Sequence, residues 1–407
     1  MRMGLYWTLF AAAIALTHVR FGEHFYLTHF IVFTLMGIIV VRELLSGKLG
    51  LPKWMFMWVC MLLISIDLSF FSSFNTLTFR FLVPILIFYV AIFFGYWAIR
   101  DWDDIHHFLT AARWGCGIQA LAGLWQSLDW ISHNGFVFIA NGKFWRPYGL
   151  NVSGMDYVAQ LGVGLYFSAL VENVFWKRLL VAFYLFQLLT SMSRTGVVIF
   201  FISVGAYLVS VSWTRMRLFV LPLAVLGLII LLCAADPENA IVRRITDIGN
   251  INFNIKRFVV YEDVISKIIS SDLRLLFGQG FGTYWFFHPL DFEYYDNPHN
   301  IYLNMLYCVG VIGFLFFLGG IATLLWSTIK FYINAEPDSF PRKLIRAILL
   351  IHVSVWITGL VETNIAGLGQ GWLLGFIFGV PLAIAKFQDM ENAARTRTFT
   401  LSTLRVG

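Results

Sequence analysis

Residues 301–326 read IYLNMLYCVGVIGFLFFLGGIATLLW, without one charged side chain. At about 1.5 Å of rise per residue, a helix of this length exceeds the roughly 30 Å of bilayer hydrocarbon. It offers no polar face to water, so it reads as a membrane span. Working outward, similar apolar stretches lie at 4–19, 25–41, 54–73, 77–99, 108–130, 155–171, 178–190, 195–212, 217–235, 345–362 and 367–385, the one at 178–190 being short. The 407 residues are 59% hydrophobic and 18% aromatic but only 13% charged, a balance from which no soluble surface can be built. The expected fold is therefore all-α integral membrane, with about twelve transmembrane helices. Residues 1–407 are read as a single polytopic membrane domain. The first stretch follows Arg2 but has no small-x-small cleavage site leading into a soluble chain, so it reads as a retained helix. Cys60, Cys116, Cys233 and Cys308 all fall in apolar segments, which argues for packing rather than a disulfide framework.

Lysine and arginine orient the spans. Lys386, Arg395, Arg397 and Arg405 mark the tail 386–407, and Lys330, Arg342, Lys343 and Arg346 mark the 327–346 connection. Counting back, Arg215 and Arg217, Lys177 and Arg178, Arg100, the group Arg42, Lys48 and Lys53, and Arg2 fall on the same side. That side is cytoplasmic by the positive-inside rule, which puts both termini in the cytoplasm. Arg80 and Arg194 stand out because each sits at the opposite, outer end of a span. An arginine near hydrocarbon is expensive and persists where it binds something, although snorkelling to outer headgroups would leave the same pattern. Taken together, the outer arginines point to an anionic ligand on the outer face.

Two outer loops interrupt the short connections. Loop 131–154 holds Phe144-Trp145-Arg146-Pro147-Tyr148-Gly149, with Arg146 stiffened by Pro147 among aromatic rings. Guanidinium forks grip phosphate oxygens, and rings stack on sugars; an interfacial aromatic belt is the plainer reading. Loop 236–298 contains an amphipathic pattern from Lys256 to Leu276, with Phe258, Tyr261, Val264, Ile265, Ile268 and Ile269 at helical spacing. This predicts a helix lying on the outer leaflet. Gly278-Gln279-Gly280-Phe281-Gly282 follows and resembles a phosphate-cradling loop only superficially. The loop closes on Asp296-Asn297-Pro298-His299-Asn300. Asn297 suits an N-cap and Pro298 a first helical position, which would set His299 in the first turn of the 301–326 span. There the helix dipole favours a neutral imidazole able to accept a proton. A lone histidine at a helix start is more often only a capping or interface residue; the outer arginines add weight to the catalytic reading.

At these residues the chain resembles the bacterial O-antigen ligase and O-antigen polymerase superfamily. Trp145-Arg146-Pro147-Tyr148-Gly149, Thr190-Ser191-Met192-Ser193-Arg194-Thr195-Gly196, Arg257 with the glycine run, and Asn297-Pro298-His299-Asn300 leading into Val309-Gly310-Val311-Ile312-Gly313 carry the likeness. The resemblance implies a metal-independent GT-C-type glycosyltransferase with no cofactor, in the bacterial inner membrane, its active site facing the periplasm. It implies an undecaprenyl-pyrophosphate-linked glycan donor and a lipid-linked or lipid A-core acceptor, with membrane lipids around it and a chain-length regulator as partner, and no nucleic acid. By motif, Arg146 and Arg257 would hold the pyrophosphate with Arg194 in support, and His299 would be the base. Glu362, Asn300 and Tyr148 would support the site. The only Asp-x-Asp, Asp101-Trp102-Asp103, falls on the cytoplasmic side and reads as loop charge. A surface-polysaccharide polymerase is favoured over an O-antigen ligase, since ligases of this superfamily tend to carry a longer loop before the histidine. A flippase or transporter for lipid-linked oligosaccharide is the non-enzyme alternative, but it would show internal repeats around a charged midplane. Asp67 within 54–73 is the one residue that suits it.

Overall fold

The computed structural model describes residues 4–17, 20–21, 25–47, 59–60, 63–64, 76–134, 139–140, 143–144, 147–150, 154–191, 193–210, 251–288, 293–295, 297–360 and 371–404. The expected spans at 54–73 and 217–235 lie almost wholly outside these, as do Arg146 and Glu362.

The described chain is overwhelmingly helical. Helices α1 (Leu5–Ala15), α2 (Leu27–Leu45), α3 (Thr76–Ala98), α4 (Trp102–Asn134), α5 (Gly154–Ser168), α6 (Val174–Thr190) and α7 (Arg194–Ser210) come first. After them come α8 (Ile251–Ile269), α9 (Asp272–Phe277), α10 (Ile301–Asn334), α11 (Phe340–Thr358) and α12 (Gly371–Leu404). Among the described residues strands appear only as three two-stranded hairpins, one of them pairing Phe286–His288 with Glu293–Tyr295. The short stretch at 178–190 is part of the longer α6, and α4 and α10 run well past the apolar cores that the sequence marks.

Three helical stretches among the described residues are long and apolar enough to cross a membrane: Leu27–Leu45, Ile301–Asn334 and Gly371–Gln388. The first two carry large apolar side chains on their outward faces: Phe30 and Val41 are each 55% exposed, Leu315 62% and Trp326 67%. So large an exposed apolar surface suits lipid rather than water.

The core is aromatic. Phe10, Phe108 and Phe376 sit at the junction of α1, α4 and α12, with ring centroids 4.7–5.7 Å apart. The closest packing joins α3 to α12. A Cβ at Gly95 would lie 2.1 Å from the Phe376 carbonyl, one at Gly375 2.3 Å from that of Phe88, and one at Gly379 2.2 Å from that of Ile92. Only hydrogen fits where the two backbones touch, the device by which apolar helices associate without a hydrophobic driving force. The thiols of Cys60, Cys116 and Cys308 are free.

Candidate functional site

The segment before α10 departs from its expected geometry. The helix begins at Ile301 and its N-cap is Asn300, whose Oδ1 accepts the amides of Tyr302 and Leu303 at 3.0 Å. Asn297 instead accepts the amide of His299 on its own Oδ1, at 2.9 Å, closing a tight turn. His299 takes φ of 50°, a left-handed conformation that a branch-free asparagine or histidine tolerates better than most residues. It therefore stands at a bend just ahead of the helix, half-buried, and not in the first helical turn. Two asparagines three residues apart compete for the cap, and the one nearer the apolar run wins.

Asn300 does a second job. Its Nδ2 donates to the carbonyl of Leu360 at 2.9 Å, while the Ile301 amide donates to Gly359 at 2.8 Å and Tyr302 Oη to Trp356 at 2.8 Å. These bonds dock the start of α10 on the end of α11. Orphan carbonyls at that helix end thus gain protein donors where water is scarce. From another element, Tyr261 on α8 also donates its hydroxyl to Leu360, at 3.3 Å. Arg257, half-buried, lies one turn before Tyr261 on α8.

Helix α7 packs against α11 as well. Ser193 accepts the Val197 amide at 3.1 Å, which starts the helix at Arg194. Thr195 shares a small void with Ser354 and Thr358 of α11. Around it a buried polar chain runs from Ser203 to Tyr166 to Ser354, at 2.9 and 2.7 Å. Arg194 thus enters the chain beside the end of α11; its side chain lies outside the described residues.

The long loop before α10 is pinned to that helix through its glycines. The amides of Gln279 and Gly280 donate to the carbonyls of Tyr307 and Cys308, each at 2.9 Å. Helix α10 breaks there, with Gly310 at φ 64°. A Cβ on Gly310 would meet the Gly278 nitrogen at 2.4 Å, and one on Gly278 the Cys308 carbonyl at 2.4 Å. The glycine run is thus a clamp on a broken helix, and its amides face carbonyls, not an anion. Gln279 strengthens it, accepting the Tyr307 hydroxyl at 3.1 Å and donating to the Lys267 carbonyl at 3.1 Å.

The amphipathic helix differs from expectation in extent and facing. It divides into α8 and α9, because Ser271 caps a new helix through the amide of Arg274. Val264 and Ile268, joined by Val260, are buried, whereas Phe258, Ile265 and Ile269 are exposed at 62%, 47% and 66%. Lys267 binds Asp263 at 2.7 Å and stands 4.8 Å from the centre of the Tyr284 ring. Tyr284 donates to Asp263 at 3.1 Å, and burial, reinforced by that carboxylate, pushes its phenol far above the usual range. These charges tie the loop to itself.

Loop 131–154 is held by two glutamines that the sequence reading passed over. Gln126 Oε1 accepts the amides of Tyr148 and Gly149 at 2.9 and 3.0 Å, and its Nε2 donates to the Gly149 carbonyl at 2.6 Å. Gln119 accepts the Leu150 amide at 2.7 Å and donates to the carbonyls of Ile14 and Ala15. Pro147 is buried and Tyr148 is 45% exposed, which fixes the chain immediately after Arg146. The signal was available: two glutamines seven residues apart on one face of an apolar helix.

Asn300, with His299 before it, therefore docks on the end of α11, where Tyr261 of α8 bonds the same Leu360 carbonyl; Arg257 lies one turn before Tyr261, and Arg194 precedes Thr195, which shares a void with Thr358 of α11. Arg146 and Glu362 lie outside the described residues, although Leu360, two residues before Glu362, is part of the junction. Residues 179–318 match the model of a family described as O-antigen ligase. The match covers about a third of the chain and contains Arg194, Arg257, His299 and Asn300, while Arg146, Tyr148 and Glu362 fall outside it. It supports the O-antigen ligase and polymerase superfamily that the motifs resemble. No curated protein matches the chain.

Proposed function

We propose, with the match to O-antigen ligases as premise, that this chain is a metal-independent membrane glycosyltransferase of GT-C type. It moves glycan from undecaprenyl pyrophosphate at the outer face of the bacterial inner membrane. The observation that supports the reading is the docking of Asn300, next to His299, and of Tyr261, one turn after Arg257, on the single carbonyl of Leu360 at the end of α11. In the reaction the acceptor hydroxyl attacks the anomeric carbon and forms the new C–O bond as the bond to pyrophosphate breaks. His299 takes the hydroxyl proton. Arg194 and Arg257, with Arg146, neutralise the charge that grows on the departing undecaprenyl pyrophosphate, a stabilisation aimed at the transition state. Glu362 and Asn300 hold the histidine segment, and Tyr148 offers a ring to a sugar.

The preferred acceptor is a second lipid-linked repeat, which makes the protein a surface-polysaccharide polymerase. A ligase acting on lipid A-core is the second reading, favoured by the description of the matched family. Purified protein in vesicles with undecaprenyl-pyrophosphate-linked repeats separates them. A ladder of longer glycans without lipid A supports polymerisation, and transfer only after lipid A-core is added supports ligation. No transfer under either condition would sink the enzymatic reading.

A further inference from the structure

Beyond its break at Gly310, helix α10 runs on to Asn334, a further 24 residues or about 36 Å. At the end remote from His299 lies a cavity of about 1120 Å³, walled by the ends of α3, α4, α10 and α11 and by α12. It belongs neither to the histidine junction nor to the proposed chemistry. Its charge is unbalanced: Lys330 and Lys386 line it with His106, against Glu336 as the only carboxylate among the described lining residues. Lys330 makes no ion pair or hydrogen bond among the described residues, and Lys386 Nζ stands 4.7 Å from the centre of the Tyr96 ring. Ser339 and Phe340, at the amino end of the 19-residue α11, add the positive end of a helix dipole.

The remaining wall is apolar and stiff. Trp102, Phe340 and Leu382 line it, with Trp102 and Phe340 in edge contact at 6.2 Å and His106 stacked on Phe340 at 4.9 Å. A free phosphate needs neither this volume nor this surface. A phosphodiester joined to acyl chains uses both halves, the lysines for the phosphate and the aromatics for the glycerol and first methylenes. We infer that this cavity is a binding site for an anionic phospholipid of the leaflet opposite the histidine junction. The leaflet assignment follows the proposed topology; the binding itself does not depend on the proposed reaction.

The test is native mass spectrometry of the delipidated full-length protein titrated with phosphatidylglycerol, cardiolipin or phosphatidylcholine. The wild type should retain the anionic lipids preferentially. Lys330→Gln with Lys386→Gln should weaken that binding roughly 30-fold, from two lysines near one anionic headgroup. Ala385→Trp should displace the lipid by filling the cavity without changing its charge, and Lys343→Gln, outside the lining, should change nothing. A thermal melt within a few degrees of wild type, the scale of about 1 kcal/mol, must accompany each variant for its result to count; the wild-type lipid preference is decisive even where a variant misfolds. Equal retention of phosphatidylcholine, or an equal loss in Lys343→Gln, would overturn the inference. Displacement by millimolar inorganic phosphate would assign the cavity to a soluble anion and overturn it as well.

Discussion

The two ends of α10 are built on different physics. At the His299 end, side-chain amides and backbone N–H groups reach across to carbonyls of other elements: Asn300 to Leu360, Ile301 to Gly359, Gln279 and Gly280 to Tyr307 and Cys308. Such bonds are directional, so they fix a backbone to tenths of an ångström. At the lysine end, rings stack on rings and cations sit over aromatic faces, as Arg342 does 4.8 Å from the centre of the Tyr332 ring. Those contacts are broad and forgiving, and they leave a cavity. On the proposed reading, the end that aims an imidazole uses hydrogen bonds and the end that accommodates a soft ligand uses surfaces.

Substitutions at each end should show this contrast. The largest effect belongs to His299→Ala, which should lower glycan transfer by about 10²–10⁴-fold. Long-chain polysaccharide would vanish from a complementation gel while the protein stays at its normal membrane level. Next is Gly310→Ala, whose new Cβ has Gly278 nitrogen and Leu276 carbonyl within 2.4 Å. Releasing the clamp should cost about 1–3 kcal/mol locally. Hydrogen exchange should rise across 272–282 and stay unchanged at the start of α11; a global rise would mean the ends are not separable. Asn300→Ala removes a cap and the Leu360 bond, about 1–2 kcal/mol together. Asn300→Asp keeps the cap and loses the donor, so its thermal midpoint should fall about half as far.

The smallest effect lies at the lysine end. Asp104, ahead of the expected 108–130 span, has its carboxyl pushed up to about 6 by burial and then by the neighbouring charge of Asp101. The folded protein then binds that proton more tightly than the unfolded chain, so stability falls as pH rises from near 4 through 6. Asp104→Asn should flatten that slope and raise the midpoint at pH 8 by about 2 °C, with no gain at pH 4. An identical slope in the variant would remove Asp104 from that role.

How much of this was legible depended on whether the deciding partner was a side chain near in sequence. Within the described residues the apolar runs marked the helices; Arg194 and His299 stood out by their places at the ends of spans, and Arg257 only through the family resemblance. The start of α10 was misjudged by three residues because Asn297 and Asn300 both suit a cap, and only the carbonyl of Leu360 decides between them. The glycine run was opaque for a related reason: the carbonyls it serves are backbone groups exposed by a break at Gly310. Backbone partners leave no signature in the letters. The Gly375-x-x-x-Gly379 spacing was readable, but its partner Gly95 lies far away in sequence. The lysine-end cavity joins five elements and has no local motif at all.

The central claim is that the histidine junction, not the lysine-rich end, faces the compartment where the lipid-linked glycan waits. Cysteines placed at Ser270, on the histidine side, and at Lys343, on the lysine side, of a chain whose native cysteines are replaced test it directly. With a membrane-impermeant maleimide on intact spheroplasts, Ser270→Cys should label fully and Lys343→Cys only after permeabilisation. Labelling in the reverse order would put His299 in the cytoplasm and contradict the account.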